Sequence, residues 1–132
     1  MMEGLEDLER AVLEKLLDGD HPMFAALREQ AQSGRLLGRE RTGVGFYCSF
    51  EVPPEVSAVE PFDFEIDDVN GEVQGLAHGA GFVLFVRDGR LDMLEGFSYD
   101  EPWPQEVSHF KLTYQCEPRE LKFLASAASS SS

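Results

Sequence analysis

The hydrophobic period of this chain changes once, near residue 42, and that change constrains the fold more than any other feature. Before it, apolar residues recur at steps of three and four: Leu5, Leu8, Val12 and Leu16. This spacing predicts an amphipathic helix, which Gly19 ends. A second helix is predicted from Asp20, as its N-cap, to Gly34, with Pro22 in the first turn. The chain therefore begins with two short helices.

After residue 42 apolar residues alternate, as in strands with one buried face. Alternation places five residues on the inner face of a first strand: Val44, Phe46, Cys48, Phe50 and Val52. Segments 62–67 and 72–76 are predicted as a second and a short third strand, and 110–116 as the last, with Cys116 facing inward. A terminal helix is predicted over 121–128. This order of elements predicts an α+β fold, with two N-terminal helices packed on an antiparallel sheet of about five or six strands.

The strongest local signal is a hairpin at residues 82–95. Residues 82–86 are apolar without interruption, which is typical of a strand covered on both faces, and Asp88-Gly89 forms a two-residue turn. A regular ladder from this turn sets the cross-strand pairs: Val86 with Leu91, Leu84 with Met93 and Phe82 with Glu95. Glu95 is then expected at the rim of the face that meets the helices.

Composition indicates one acidic domain. The chain has 132 residues, with 25 acidic and 11 basic residues and a net charge of −14. We expect one domain over 1–128 and a polar tail over 129–132. The charge argues against binding to nucleic acid or an anionic membrane, and it permits a basic partner. The N-terminus lacks a basic segment followed by an apolar one, and no apolar run reaches the length of a bilayer span, so the expected location is the cytoplasm.

The loop after the hairpin is the best candidate for a binding site. It carries aromatic and acidic residues, and prolines at 102 and 104 restrict the backbone around its tryptophan: Phe97, Tyr99, Asp100, Glu101 and Trp103. Tyrosine and tryptophan are enriched at recognition sites because they bury a large area with few rotatable bonds. The alternative is that Trp103 folds back to cover the open end of the core.

Two further polar residues are candidates for a site with this loop. His78 lies in a glycine-rich connection and Glu95 on the hairpin. A histidine there could act as a base, although a tight connection between strands explains the glycines more simply. We predict no catalytic residue, no metal ligand and no cofactor. The stretch 42–86 has eight acidic residues and no Lys or Arg, and its spacing is that of a solvated face rather than of a calcium loop.

Residues 81–104, GFVLFVRDGRLDMLEGFSYDEPWP, resemble a segment shared by a family of small uncharacterised bacterial proteins. The resemblance extends from the first helix to Tyr114. It implies a bacterial cytosolic protein of this fold. It implies no activity and assigns no role to any residue.

Three hypotheses for function follow from these patterns. The first is a non-enzymatic acidic protein-binding domain, such as an immunity or inhibitor protein, whose partner is basic. The second is an enzyme or small-molecule binder with a site at the open end of the sheet, formed by Glu95, His78 and Tyr99. The third is a homodimer formed through a strand edge or through the second, partly apolar face of the hairpin.

Overall fold

A six-stranded antiparallel sheet carries both helices on one of its faces. The computed structural model describes residues 2–121. Two helices come first, α1 (Asp7–Leu16) and α2 (Pro22–Ser33). The strands follow: β1 (Arg35–Arg41), β2 (Gly45–Glu51), β3 (Phe64–Val73), β4 (Ala80–Arg87), β5 (Arg90–Ser98) and β6 (Phe110–Tyr114). Their order across the sheet is β1-β2-β5-β4-β3-β6. The α+β prediction is confirmed.

The two helices are fixed by polar contacts that differ in part from those predicted. In the first turn of α1, the Glu6 amide donates a hydrogen bond to the Glu9 carboxylate at 2.8 Å. The N-cap of α2 is His21 and not Asp20, because the His21 Nδ1 atom accepts a hydrogen bond from the Met23 amide at 3.1 Å. Asp20 lies outside the helix and is exposed.

The core lies between the helices and the inner face of the sheet. Its members on the strands alternate with half-buried or exposed residues, so the opposite face is left uncovered by the described residues. The polar side chain of Gln30 is fully buried in the core. The Gln30 amide donates to the carbonyls of Ser57 and Gly89 and accepts from the Leu91 amide, at 2.9 to 3.0 Å. It therefore joins α2 to the turn of the β4–β5 hairpin.

The basic run Arg35–Arg41, for which no strand was predicted, forms the edge strand β1. Arg39 points inward, where its guanidinium makes two hydrogen bonds of 2.6 Å to the Glu9 carboxylate. Such an inward arginine interrupts apolar alternation, so the strand carries no hydrophobic signal of period two. The strand is formed by its antiparallel ladder with β2, and Glu9 of α1 supplies the partner for the inward charge.

The hairpin turn is as predicted, and the register beyond it is not. Asp88 and Gly89 have φ values of 54° and 74°, as a type I′ turn requires, and Val86 pairs with Leu91. A β-bulge at Asp92 then shifts the ladder by one residue. The resulting pairs are Phe85 with Met93, Leu84 with Leu94, Val83 with Glu95 and Phe82 with Gly96. The shift buries Leu94 and moves Glu95 to the uncovered face, so its predicted position was wrong.

Other strand predictions also need correction. The predicted second and third strands are one strand, β3, bent by a bulge between Ile66 and Val69. The run 82–86 is covered on one face only, and Cys116 is exposed beyond the end of β6. Val44 precedes β2 and is 47% exposed. The helix predicted over 121–128 and the tail over 129–132 lie outside the described residues, apart from Leu121. Within residues 2–121, no helix is long and apolar enough to cross a membrane.

Candidate functional site

The loop that carries Trp103 packs back on the sheet. The Trp103 ring lies edge-on to the ring of the buried Phe46, with centroids 5.5 Å apart. Its amide donates to the Gly43 carbonyl at 2.8 Å, in the connection between β1 and β2. Both contacts hold Trp103 against the end of the core. Trp103 is therefore partly buried against the core, which agrees with the interpretation that it covers the open end of the core.

Glu101 joins the same loop to the connection between β3 and β4. Its carboxylate accepts hydrogen bonds from the amides of Ala77 and His78, at 2.8 and 2.9 Å. These two bonds hold the pKa of Glu101 below its usual value. The Ser98 hydroxyl donates to the Glu101 carbonyl and fixes the turn. Glu101 is therefore engaged in holding two loops together.

Of the remaining loop residues, Tyr99 and Asp100 face solvent. Asp100 is exposed and has a φ of 62°. Tyr99 is 49% exposed and lies edge-on to Phe97, with centroids 5.7 Å apart. Of the predicted loop site, Tyr99 and Asp100 are exposed, whereas Phe97, Glu101 and Trp103 are half-buried.

The structure does not bring Glu95 and His78 together. Glu95 pairs with Val83, while Ala80 pairs with Ser98, three residues further along the ladder and about 10 Å away at the usual strand rise. His78 precedes Ala80 in the connection, where its amide contacts Glu101. A shared acid–base site with Tyr99 is not assembled by this arrangement.

Glu95 instead belongs to the open face, which we define as the sheet face opposite the helices. One row of residues crosses this face on four adjacent strands: Glu40, Tyr47, Glu95 and Val83. The next row is Gly38, Ser49, Met93, Phe85 and Glu65. A third row contains Gly45, Phe97, Gly81 and Asn70. The register of the strands therefore places side chains from five strands side by side on the open face.

The centre of the open face is apolar and partly exposed. Its apolar side chains are half-buried: Tyr47, Val83, Phe85, Met93 and Phe97. Phe97 lies over Gly81, where an added Cβ atom would be 2.5 Å from the ring, so this glycine permits the aromatic side chain to lie flat on the sheet. With the exposed Tyr99 beside Phe97, the patch is aromatic in the way that interface centres are.

Carboxylates border this patch and two of them have no cationic partner in the described part of the chain. Glu65 and Glu51 are paired with Arg87 and Arg35, at 3.5 and 2.7 Å. Glu40 and Glu95 make no ion pair among residues 2–121. Both flank Tyr47, and a hydrogen bond to Glu95, together with the negative charges of Glu95 and Glu40, raises the pKa of Tyr47.

A pocket opens on the open face beside this row. Its volume is about 470 Å³, and it is lined by Gly38, Arg39, Glu40, Tyr47, Ser49 and Met93. The Arg39 guanidinium is held toward the inner face by Glu9, so the acidic and hydroxyl groups set the polarity of the pocket. A smaller pocket of about 200 Å³ adjoins Trp103 and Arg41 at the end of the sheet.

A metal site requires grouped ligand side chains, and a reactive thiol requires a lowered pKa. Among the described residues, no three His, Cys, Asp or Glu side chains are grouped as metal ligands. Burial, and then the charge of Glu9, raises the pKa of the Cys48 thiol to about 12, so it stays protonated and unreactive at neutral pH.

Comparisons with protein-family models, with curated proteins and with solved structures give no match to this chain. Support for a function therefore comes from the geometry of the open face and not from a related protein. Of the residues on this face, the sequence patterns select Phe97, Tyr99 and Glu95, and they place Tyr47 on the outer side of its strand. They miss Glu40, because β1 is not predicted, and they miss the pairing of Phe85 with Met93, because the bulge is not predicted.

Proposed function

We propose that this protein is a non-enzymatic protein-binding domain, of the kind formed by immunity and inhibitor proteins, whose interface is the open face and whose partner is basic. The observation that carries the proposal is the uncovered aromatic patch bordered by unpaired carboxylates. Interfaces combine such an apolar centre with a polar rim, and aromatic residues dominate their energetics.

The charge distribution favours a basic partner. Ten of the chain's 11 Lys and Arg residues lie in the described part, and six of these ten are arginines in ion pairs: Arg10, Arg35, Arg39, Arg41, Arg87 and Arg119. The acidic surplus therefore remains on the surface as a negative field, which increases the rate of association with a cationic partner. A second copy of this chain fits less well, since each would bring a charge of −14 to the contact.

A displayed library of random peptides, selected on the immobilised full chain, tests the proposal and does not require the partner to be identified first. We expect enriched peptides in which Arg or Lys alternates with aromatic or aliphatic residues. Their affinity should fall steeply between about 50 mM and about 500 mM salt, because exposed charges are screened over this range. Light scattering of the unbound protein should show a monomer.

Phe85→Thr removes the aromatic centre while keeping a residue that favours strands. We expect it to weaken binding of the selected peptides at least about tenfold, as loss of an interface centre does. Phe62→Thr is the matched control, since Phe62 is 54% exposed but lies outside the open face, before β3. The proposal fails if no peptide is enriched, or if the enriched peptides bind the Phe85→Thr variant as tightly as the original protein.

A further inference from the structure

The row Glu40–Tyr47–Glu95 combines features that recognise a planar cation. The three residues pair directly across β1, β2 and β5, so Tyr47 lies between two carboxylates whose backbones are about 10 Å apart at the usual strand spacing. The pocket of about 470 Å³ begins at this row and continues past Ser49 to the Met93 side chain. It offers an aromatic ring, an apolar wall, a hydroxyl group and negative charge in one concavity.

We propose that this pocket receives the guanidinium group of one arginine side chain from the basic partner. The inference rests on the proposed function, because it identifies which part of that partner enters the open face. Carboxylates accept the forked N–H groups of a guanidinium, and an aromatic face attracts its charge. The apolar stem of the arginine would pack on Met93.

Neighbouring cations do not neutralise the pocket. Arg39 lines it, but both of its hydrogen bonds to Glu9 are on the inner face of the sheet. Arg35 and Arg87, the nearest arginines of the outer rows, are held by Glu51 and Glu65. The two carboxylates that flank Tyr47 thus keep their charge available to a ligand.

The raised pKa of Tyr47 is consistent with this geometry. Glu95, as a hydrogen-bond acceptor and as a negative charge, and then the charge of Glu40 oppose ionisation of the phenol and raise its pKa. The two carboxylates therefore act on the same point of the open face, where a bound cation would interact with both.

The test titrates the isotope-labelled full chain with N-acetyl-L-argininamide, followed by amide chemical shifts. N-acetyl-L-citrullinamide is the neutral probe of the same shape. We expect saturable shifts with the arginine probe, centred on Tyr47, Glu95 and Met93, and no saturable shifts with the citrulline probe. The variant with both Glu40→Gln and Glu95→Gln should bind the arginine probe about tenfold more weakly, since each of these solvent-accessible carboxylates contributes a factor of a few.

The matched control carries Glu14→Gln and Glu29→Gln, which change the net charge equally on exposed positions of the helices. It should bind within about twofold of the original protein, because distant charges are screened. Equal binding of both probes, shifts spread over the whole acidic surface, or an equal loss in the control would overturn the inference.

The two proposals fail separately. If the arginine probe binds as expected and the peptide library yields no ligand, the pocket stands and the protein-binding function falls. If the library yields peptides that depend on Phe85 while the arginine probe gives no saturable shifts, the function stands and the arginine pocket falls.

Discussion

At the scale of single residues, Glu9 shows how a chain with so many carboxylates can bury one. Its side chain is 2% exposed, and it accepts two hydrogen bonds from Arg39 and one from the Glu6 amide. Burial opposes ionisation of Glu9, but these bonds outweigh it, and the pKa lies below its usual value of 4.5. A buried charge is tolerated when its oxygens are partnered in this way.

We predict that Glu9→Gln destabilises the protein by about 3 kcal/mol near neutral pH, since it leaves Arg39 without its anionic partner. Because the folded pKa of Glu9 is depressed, its contribution is fully present above the unfolded value of 4.5 and is lost as the pH falls through the folded value. Urea unfolding of both proteins from about pH 7 to about pH 3 measures this difference.

The difference in unfolding free energy between the original protein and the Glu9→Gln variant should shrink as the pH falls below 4.5. Glu29→Gln, on the exposed face of α2, controls for the loss of one negative charge and should change stability little. A difference that stays constant across the whole range would contradict the assignment of a depressed pKa to Glu9.

At the scale of elements, Arg119 attaches the segment after β6 to the C-terminal end of α1. Its guanidinium makes hydrogen bonds of 2.6 and 2.7 Å to Asp68 and donates to the carbonyls of Leu16 and Asp18. The same group lies 4.4 Å from the centroid of the Tyr114 ring. One side chain thus joins β3, β6 and the end of α1.

Replacement of Arg119 by alanine should destabilise the protein by about 3 kcal/mol, because Asp68 would remain buried without its partner. Arg119→Lys should recover only part of this, since an ammonium cannot form the forked pair. Lys111→Ala, at an exposed position of β6, is the control. Denaturant unfolding measures the free energy, and equal stability of the Arg119→Ala and Lys111→Ala variants would show that the attachment contributes nothing.

The sequence predicted correctly those elements that are determined by residues close together in the chain. The Asp88-Gly89 turn specifies a hairpin because its positive φ angles depend on two residues, and helical spacing specifies α1 and α2 because each buries one stripe. β1 and the Asp92 bulge depend on distant groups. Arg39 faces inward because Glu9 receives it, and the bulge lets Leu94 pair with Leu84 in the core. Neither partner is visible in a local pattern.

The same distinction between local and distant determinants applies to the residues of the candidate site. Phe97 was selected for its aromatic character, whereas alternation placed Tyr47 on the outer face of its strand without selecting it for the site. Which side chains lie next to them on the open face was not predicted, since a one-residue shift exchanges the two faces of a strand. The regular ladder placed Glu95 toward the helices, whereas the bulged ladder places it beside Tyr47. Glu40 joins them only once β1 is known to pair with β2.

At the scale of the whole molecule, the sheet has two unlike faces. The helices bury the inner one, with its core of aliphatic and aromatic side chains. The open face carries half-buried aromatic residues and unpaired carboxylates, on a chain with a net charge of −14. Contiguous apolar patches on a protein surface often mark sites of interaction. This asymmetry is the basis of the proposed function.

Chemical-shift mapping of the tightest selected peptide on the isotope-labelled full chain tests that claim most directly. We predict that the shifted amides lie on β2, β4 and β5, centred on Tyr47, Phe85 and Met93, and that the outer surfaces of α1 and α2 stay unchanged. Shifts confined to the helices, or to the loop around Trp103 with none on these three strands, would contradict it.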